Sequence, residues 1–166
     1  DGCVIGTPYI DNSMARSDQL AALTTMLGSA SDAGPNPDGG LNMLENALSG
    51  SNTSAGGCNE GLLRPGFHLS TVNMSLYGDD SPNTWSYYVS VLQSIDLSAQ
   101  MNAIAGDYPN GCDNAEPGVG YYETTVVTGG YYGSICAASY EATLTALSTQ
   151  VSSLDSFSLK IGRAHV

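Results

Sequence analysis

Basic residues are nearly missing from this chain. Four Lys and Arg stand against 16 Asp and Glu, a formal charge of −12 over 166 residues. So negative a surface repels nucleic-acid phosphates and anionic membranes, and excludes both as partner classes, while it favours cations and solubility. Histidine is as sparse, with only His68 and His165. A Ser–His–Asp relay would have to use His68, and no Gly-x-Ser-x-Gly elbow accompanies it. No apolar run approaches the roughly 20 residues of a membrane span. Gly118-Val119-Gly120 lacks the strand, turn and helix that would make it a phosphate loop. No catalytic apparatus is complete, although 16 acids leave paired carboxylates for glycoside hydrolysis open.

The chain does have four cysteines, Cys3, Cys58, Cys112 and Cys136, of which no two are close enough for a zinc knuckle. With an even count, few charges and much Gly, Ser, Thr and Tyr, we expect two disulfides and an oxidising compartment: extracellular, periplasmic or cell-surface. Three pairings are possible. The sequential one, Cys3–Cys58 and Cys112–Cys136, is favoured, and the second loop would contribute about 3.5 kcal/mol through chain entropy.

The ends read differently from the middle. Ile161-Gly162-Arg163-Ala164-His165-Val166 resembles a translated sequencing adapter, with Lys160 as a hybrid codon. Residues 160–166 are therefore set aside, leaving residues 1–159 as one domain. There is no initiator Met and no visible signal peptide, and the expectation is an internal fragment of a longer protein.

Between the ends, helices and strands alternate. Ser17 is expected to cap a helix carrying Leu20, Leu23 and Leu27, and Asp38 a second carrying Leu41, Leu44 and Leu48. Phe67 to Leu76 reads as a strand, in which Val72, Met74 and Leu76 alternate with Asn73 and Ser75. Ser81 and Pro82 would open a third helix with Trp85, Tyr88, Val89, Leu92 and Ile95 as its apolar stripe. Met101 to Ala105 is a short buried strand, so this unit is a parallel βαβ crossover. Tyr121 to Val127 fits a strand or a short helix, and Gly129 to Cys136 reads as a loop. Ser139 would cap a last helix with Tyr140, Leu144, Leu147, Val151 and Leu154, and Phe157-Ser158-Leu159 would begin a further strand. The pattern predicts an α/β fold with a mainly parallel sheet.

Several of these segments, in order, resemble the C-terminal part of a von Willebrand factor A-like domain of bacterial exported type. They are the GGLNMLENAL helix, the GLLRPG turn, the acidic loop with Ser81-Pro82-Asn83, Ala103-Ile104-Ala105-Gly106-Asp107 with Gly111-Cys112, and TGGYYGSIC. The resemblance runs from about Gly39 to Leu159. It implies a three-layer fold, helices on both faces of the sheet, with opening strands missing from the fragment. It also implies a Mg²⁺ or Ca²⁺ site at the C-terminal edge of the sheet, where α/β folds bind ligands. Asp79 and Asp80 would supply the acidic loop of that site, and Ser29 or Ser31 a hydroxyl. Leu76 stands where the family places an Asp, and a leucine cannot ligate a hard cation, so the site reads as shifted or degenerate. Asp11-Asn12-Ser13-Met14 only partly matches the family's first metal loop.

The expected function is a non-enzymatic binding or adhesion module of an exported protein, meeting a protein or polymer ligand at the cell surface. Contact would come from loops 78–82, 106–118 and 129–133, with Asp107, Tyr131 and Tyr132 as candidates; paired tyrosines give contact area at low entropy cost. The alternatives are an extracellular hydrolase working through paired carboxylates and a calcium-stabilised structural module.

Overall fold

A computed structural model describes residues 2–3, 10, 13–28, 39–66 and 68–154. The elements run α1 (Arg16–Gly28), α2 (Gly40–Leu48), α3 (Gly50–Thr53), β1 (Ser70–Met74), α4 (Trp85–Ile95), β2 (Gln100–Ala105), α5 (Tyr121–Thr128), β3 (Tyr132–Ser134) and α6 (Glu141–Leu154). Expectations at Asp11, Asn12, Ser29, Ser31, Asp38, Phe67, Phe157 to Leu159 and the 160–166 tail lie outside the described residues, as do the side chains of Leu23, Leu27, Val151 and Leu154.

Three strands form one parallel sheet in the order β1-β2-β3. The coarse α/β class is therefore present, and the expected crossover exists: β1 and β2 are adjacent and parallel, with Val72 opposite Asn102. Residues paired across a parallel ladder share a face. Met101, Ala103 and Ala105 thus share theirs with Thr71 and Asn73, and it packs on Leu41, Leu48, Tyr88, Leu92 and Tyr121 of α2, α4 and α5. β2 is buried along almost its whole length, which is why it reads as a continuous apolar run. On the opposite face, Thr143 of α6 lies where a side chain at Gly133 would project. Asn102 ties the layer together. It is fully buried, donates to Ser70 Oγ (3.1 Å) and the Thr71 carbonyl (2.9 Å) on β1, and accepts from Tyr131 N–H (2.8 Å) beside β3.

Several local expectations are corrected, and the choice left open at Tyr121 to Val127 is settled. The first strand is shorter than Phe67 to Leu76, and its apolar residues point outward: Val72, Met74 and Leu76 are 47%, 60% and 45% exposed. The side chains that face the helices are the polar Thr71 and Asn73, because register with β2 and not hydropathy sets the face. α4 starts at Trp85 after Thr84, not at Ser81, whose hydroxyl is used elsewhere. Tyr121 to Val127 is helical: the Glu123 carboxylate accepts the Gly120 N–H (2.7 Å) at one end, and Gly129 closes the other in left-handed geometry. The 129–136 segment is not all loop, since Tyr132–Ser134 forms β3. In α6, Ser139 does accept the Glu141 N–H (3.2 Å), but Tyr140 and Leu144 are exposed while Thr143 and Leu147 are buried.

Both favoured disulfides are formed: Cys3–Cys58, with Cα atoms 5.6 Å apart, and Cys112–Cys136, 6.3 Å apart. The first fastens the N-terminal segment to the α2–α3 region beside the fully buried Asn59, whose side-chain amide donates to the carbonyls of Gly2 (2.8 Å) and Ala47 (2.9 Å). Among the described residues no helix is long and apolar enough to cross a membrane.

Candidate functional site

The carboxyl ends of β1 and β2, the start of α5 and the Cys112–Cys136 loop meet along one rim of the sheet. Its β1 side is built around the N-terminus of α2, which needs partners for its first N–H groups. Three distant side chains supply them. Tyr121 OH accepts from Gly40 N–H (3.2 Å), Asp79 Oδ1 from Leu41 N–H (3.0 Å), and Ser81 Oγ from Asn42 N–H (2.9 Å). Ser81 Oγ in turn donates to Asp79 Oδ1 (2.8 Å). The tyrosine lies so close that a Cβ at Gly40 would overlap its hydroxyl. Gly120, at φ +85°, lets the chain turn into α5 directly against the Asp79 side chain. Burial pushes the Asp79 carboxyl above its ordinary 3.8, against the downward pull of the Leu41 and Ser81 hydrogen bonds.

These contacts bear on the implied cation. Asp79 Oδ1 already holds a helix amide and a hydroxyl, at the positive end of a helix dipole. Asp80 is exposed, and Leu76 cannot substitute. No group of three or more His, Cys, Asp or Glu side chains among the described residues is arranged to hold a metal ion. The described part of the set fits a helix cap and not a cation cage.

On the β2 side the rim is aromatic. The rings of Tyr108 and Tyr122 stack with centroids 4.0 Å apart and planes 3° from parallel, and Tyr122 meets Tyr132 edge to face at 5.3 Å. Tyr132 starts on β3 but its hydroxyl reaches the rim, donating to the Gly106 carbonyl (2.6 Å). Two carboxylates border the cluster. Glu123 raises the Tyr108 phenol above its ordinary 10.0 by its charge. The Tyr132 phenol is pushed up to about 12, first by burial and then by the charges of Asp107 and Glu123. The loop beneath is closed by Cys112–Cys136, by the Gly111 N–H donating to the Asp107 carbonyl, and by paired backbone bonds between Cys112 and Ala115 (2.9 Å each).

The structure thus gathers Tyr132 and Asp107 of the expected contact set. It separates Tyr131, which shares the Gly133 face of the sheet, with its ring beside that glycine. Tyr108, Tyr122 and Glu123 were not picked out by sequence. Tyr121 and Tyr122 look equivalent there, yet Tyr121 is buried as packing and cap while Tyr122 joins the rim.

At the other end of the sheet a cavity of about 450 Å³ is lined by Leu62, Leu63, Arg64, His68, Ile95 and Asp96, among others. His68 Nδ1 bonds Ser98 Oγ and lies 3.5 Å from Asp96 Oδ2, while Ser98 Oγ also bonds Asp96 Oδ1 (2.7 Å). This resembles a triad in composition only. A relay needs carboxylate and hydroxyl on opposite ring nitrogens, and here they meet the same one. Burial pushes Asp96 up, but bonds from Ser98 and Leu69, with His68 nearby, outweigh it and hold the carboxyl below 3.8. The cluster fastens the turn between α4 and β2.

The chain matches no family model, no curated protein and no solved structure.

Proposed function

We propose that this chain is a non-enzymatic binding module of an exported or cell-surface protein, built on a von Willebrand factor A-like doubly wound sheet, and that it holds its ligand at the carboxyl rim. One observation carries the reading: the Tyr108–Tyr122–Tyr132 cluster, bordered by Asp107 and Glu123, gathers from the loop after β2, from α5 and from β3 at the carboxyl end of the central strand, with Cys112–Cys136 tying that loop to the chain after β3. Parallel α/β sheets present ligands at that end. Stacked tyrosines offer rigid amphipathic area with little rotamer entropy to lose. The parallel sheet and the motif order from Gly39 onward support the family, and the two disulfides support an oxidising compartment.

The test is retention of the labelled oxidised protein on an array of extracellular proteins and polysaccharides. Tyr122→Ala should abolish retention, whereas Tyr87→Ala, an exposed tyrosine on α4 that bonds Glu45, should leave it intact. Equal retention by both variants rules out the rim. Release of reducing sugar from a retained polymer would put the hydrolase in place of the binding module.

A further inference from the structure

The aromatic rim has a chemical preference. One face of Tyr108 is covered by Tyr122, and the residue keeps 40% of its surface exposed, which leaves room for a second group against the ring. An aromatic face carries negative electrostatic potential and attracts cations. Here that potential is reinforced. Asp107 is the adjacent residue and exposed, Glu123 lies close enough to act on the Tyr108 phenol, and Asp113 and Glu116 are exposed on the same closed loop. Arg64 lines the cavity at the opposite end of the sheet. The rim combines a partly exposed flat ring with the charge of Glu123 and, one residue away in the chain, the exposed Asp107, on a chain of charge −12. A planar guanidinium satisfies both parts at once, stacking on the ring and pairing bidentately with a carboxylate.

Building on the binding rim above, we propose that the group seated against the exposed part of the Tyr108 ring is an arginine side chain of a partner polypeptide, held at its edge by Asp107. The exposed ring supplies stacking and the carboxylate supplies direction. Long-range attraction from the acidic surface steers the basic partner in, so association is fast at low salt and slows as salt is added.

The test uses the oxidised chain and two peptides, Gly-Ser-Arg-Gly-Ser-Arg-Gly-Ser and its citrulline counterpart, which keeps the planar shape without the charge. Calorimetric titration near physiological salt should show binding of the arginine peptide alone. Tyr108→Leu and Asp107→Asn should each weaken it about five- to tenfold. Tyr108→Phe, which keeps the ring, should retain it, and this second variant guards against a general loss of structure in the first. Glu60→Gln, near the opposite end of the sheet, should change nothing. Equal binding of the citrulline peptide overturns the proposal, and so does arginine binding that Tyr108→Leu leaves untouched, which would mean diffuse charge attraction only. If an oligosaccharide such as chitohexaose binds instead and Tyr108→Leu abolishes that, the arginine assignment fails while the binding rim stands. Silence with both peptides and the sugar overturns the arginine assignment, and the array with Tyr122→Ala then decides the rim separately.

Discussion

Replacing Asp79 by alanine removes a cap that the fold supplies to α2 from a distant part of the chain. Its Oδ1 accepts two bonds, from Leu41 N–H and Ser81 Oγ. Leu41 is fully buried, so its amide has no route to water once the carboxylate is gone. A lost cap costs typically about 1 kcal/mol, and an orphaned buried N–H about 1–3. The two descriptions overlap, so the expected loss is about 2–3 kcal/mol. With a urea slope of about 2 kcal/mol/M, the unfolding midpoint should fall by about 1 M at unchanged slope. Asp79→Asn keeps an acceptor for the same two donors and should stay within about 1 kcal/mol of the parent.

The pH dependence has a definite sign. Burial raises the folded pKa of Asp79 above 3.8, so the stability this group contributes is complete below 3.8 and is lost as pH rises through the higher folded value. Asparagine has no such proton to lose. The Asn variant should therefore gain on the parent as pH rises above 3.8 and the parent ionises. Added Ca²⁺ or Mg²⁺ should leave all three midpoints in place, because Oδ1 is engaged in the cap and no group of three or more acidic, histidine or cysteine side chains gathers there among the described residues. The capping account is refuted if asparagine destabilises as much as alanine. It is also refuted if a divalent cation raises the parent's midpoint and Asp79→Asn abolishes that rise.

Two further perturbations probe the layer that carries the rim. Asn102→Leu strands the Tyr131 N–H and weakens the tie to β1, and should cost about 2–4 kcal/mol in thermal or urea unfolding, with faster amide exchange at Tyr131 as the local signature. The double change Cys112→Ser with Cys136→Ser opens a loop of 24 residues' separation and should cost about 3.5 kcal/mol in the chain-entropy model; insensitivity of the parent's melt to reductant would contradict it.

What could be read from the sequence was what local periodicity or simple counting determines. The stripe of Tyr88, Val89 and Leu92 marks α4 because a half-buried helix must repeat every 3.6 residues. Met101 to Ala105 marks β2 because a central parallel strand is covered on both faces. The pairing of Cys3 with Cys58 and of Cys112 with Cys136 followed sequence order. β3 escaped because three residues with a glycine in the middle carry no period. The facing of β1 escaped for the opposite reason: it has a clear period, but the apolar phase is the exposed one, and only its ladder with β2 reveals this.

The rim was illegible for a deeper cause. Its capping contacts to α2 join residues far apart in the chain, 38 positions between Asp79 and Leu41, 39 between Ser81 and Asn42 and 81 between Tyr121 and Gly40. A local reading assigns Asp79 and Ser81 to the helix that follows them, when the nearer helix in space is the one that precedes them. The same logic governs the tyrosines. Side chains one position apart on a helix diverge by about 100°, so once 121–128 is helical one of the adjacent pair must turn away from whatever holds the other. Tyr121 is held by Gly40, and so Tyr122 is the one delivered to Tyr108 and Tyr132. Capping of α2 and assembly of the aromatic rim are therefore coupled through α5. Tyr121→Phe, which drops only the hydroxyl, should cost about 1 kcal/mol and leave the Tyr108–Tyr122 stack in place. A substitution at Tyr121 that rotates or shifts α5 should weaken the cap and the rim's ligand contact together.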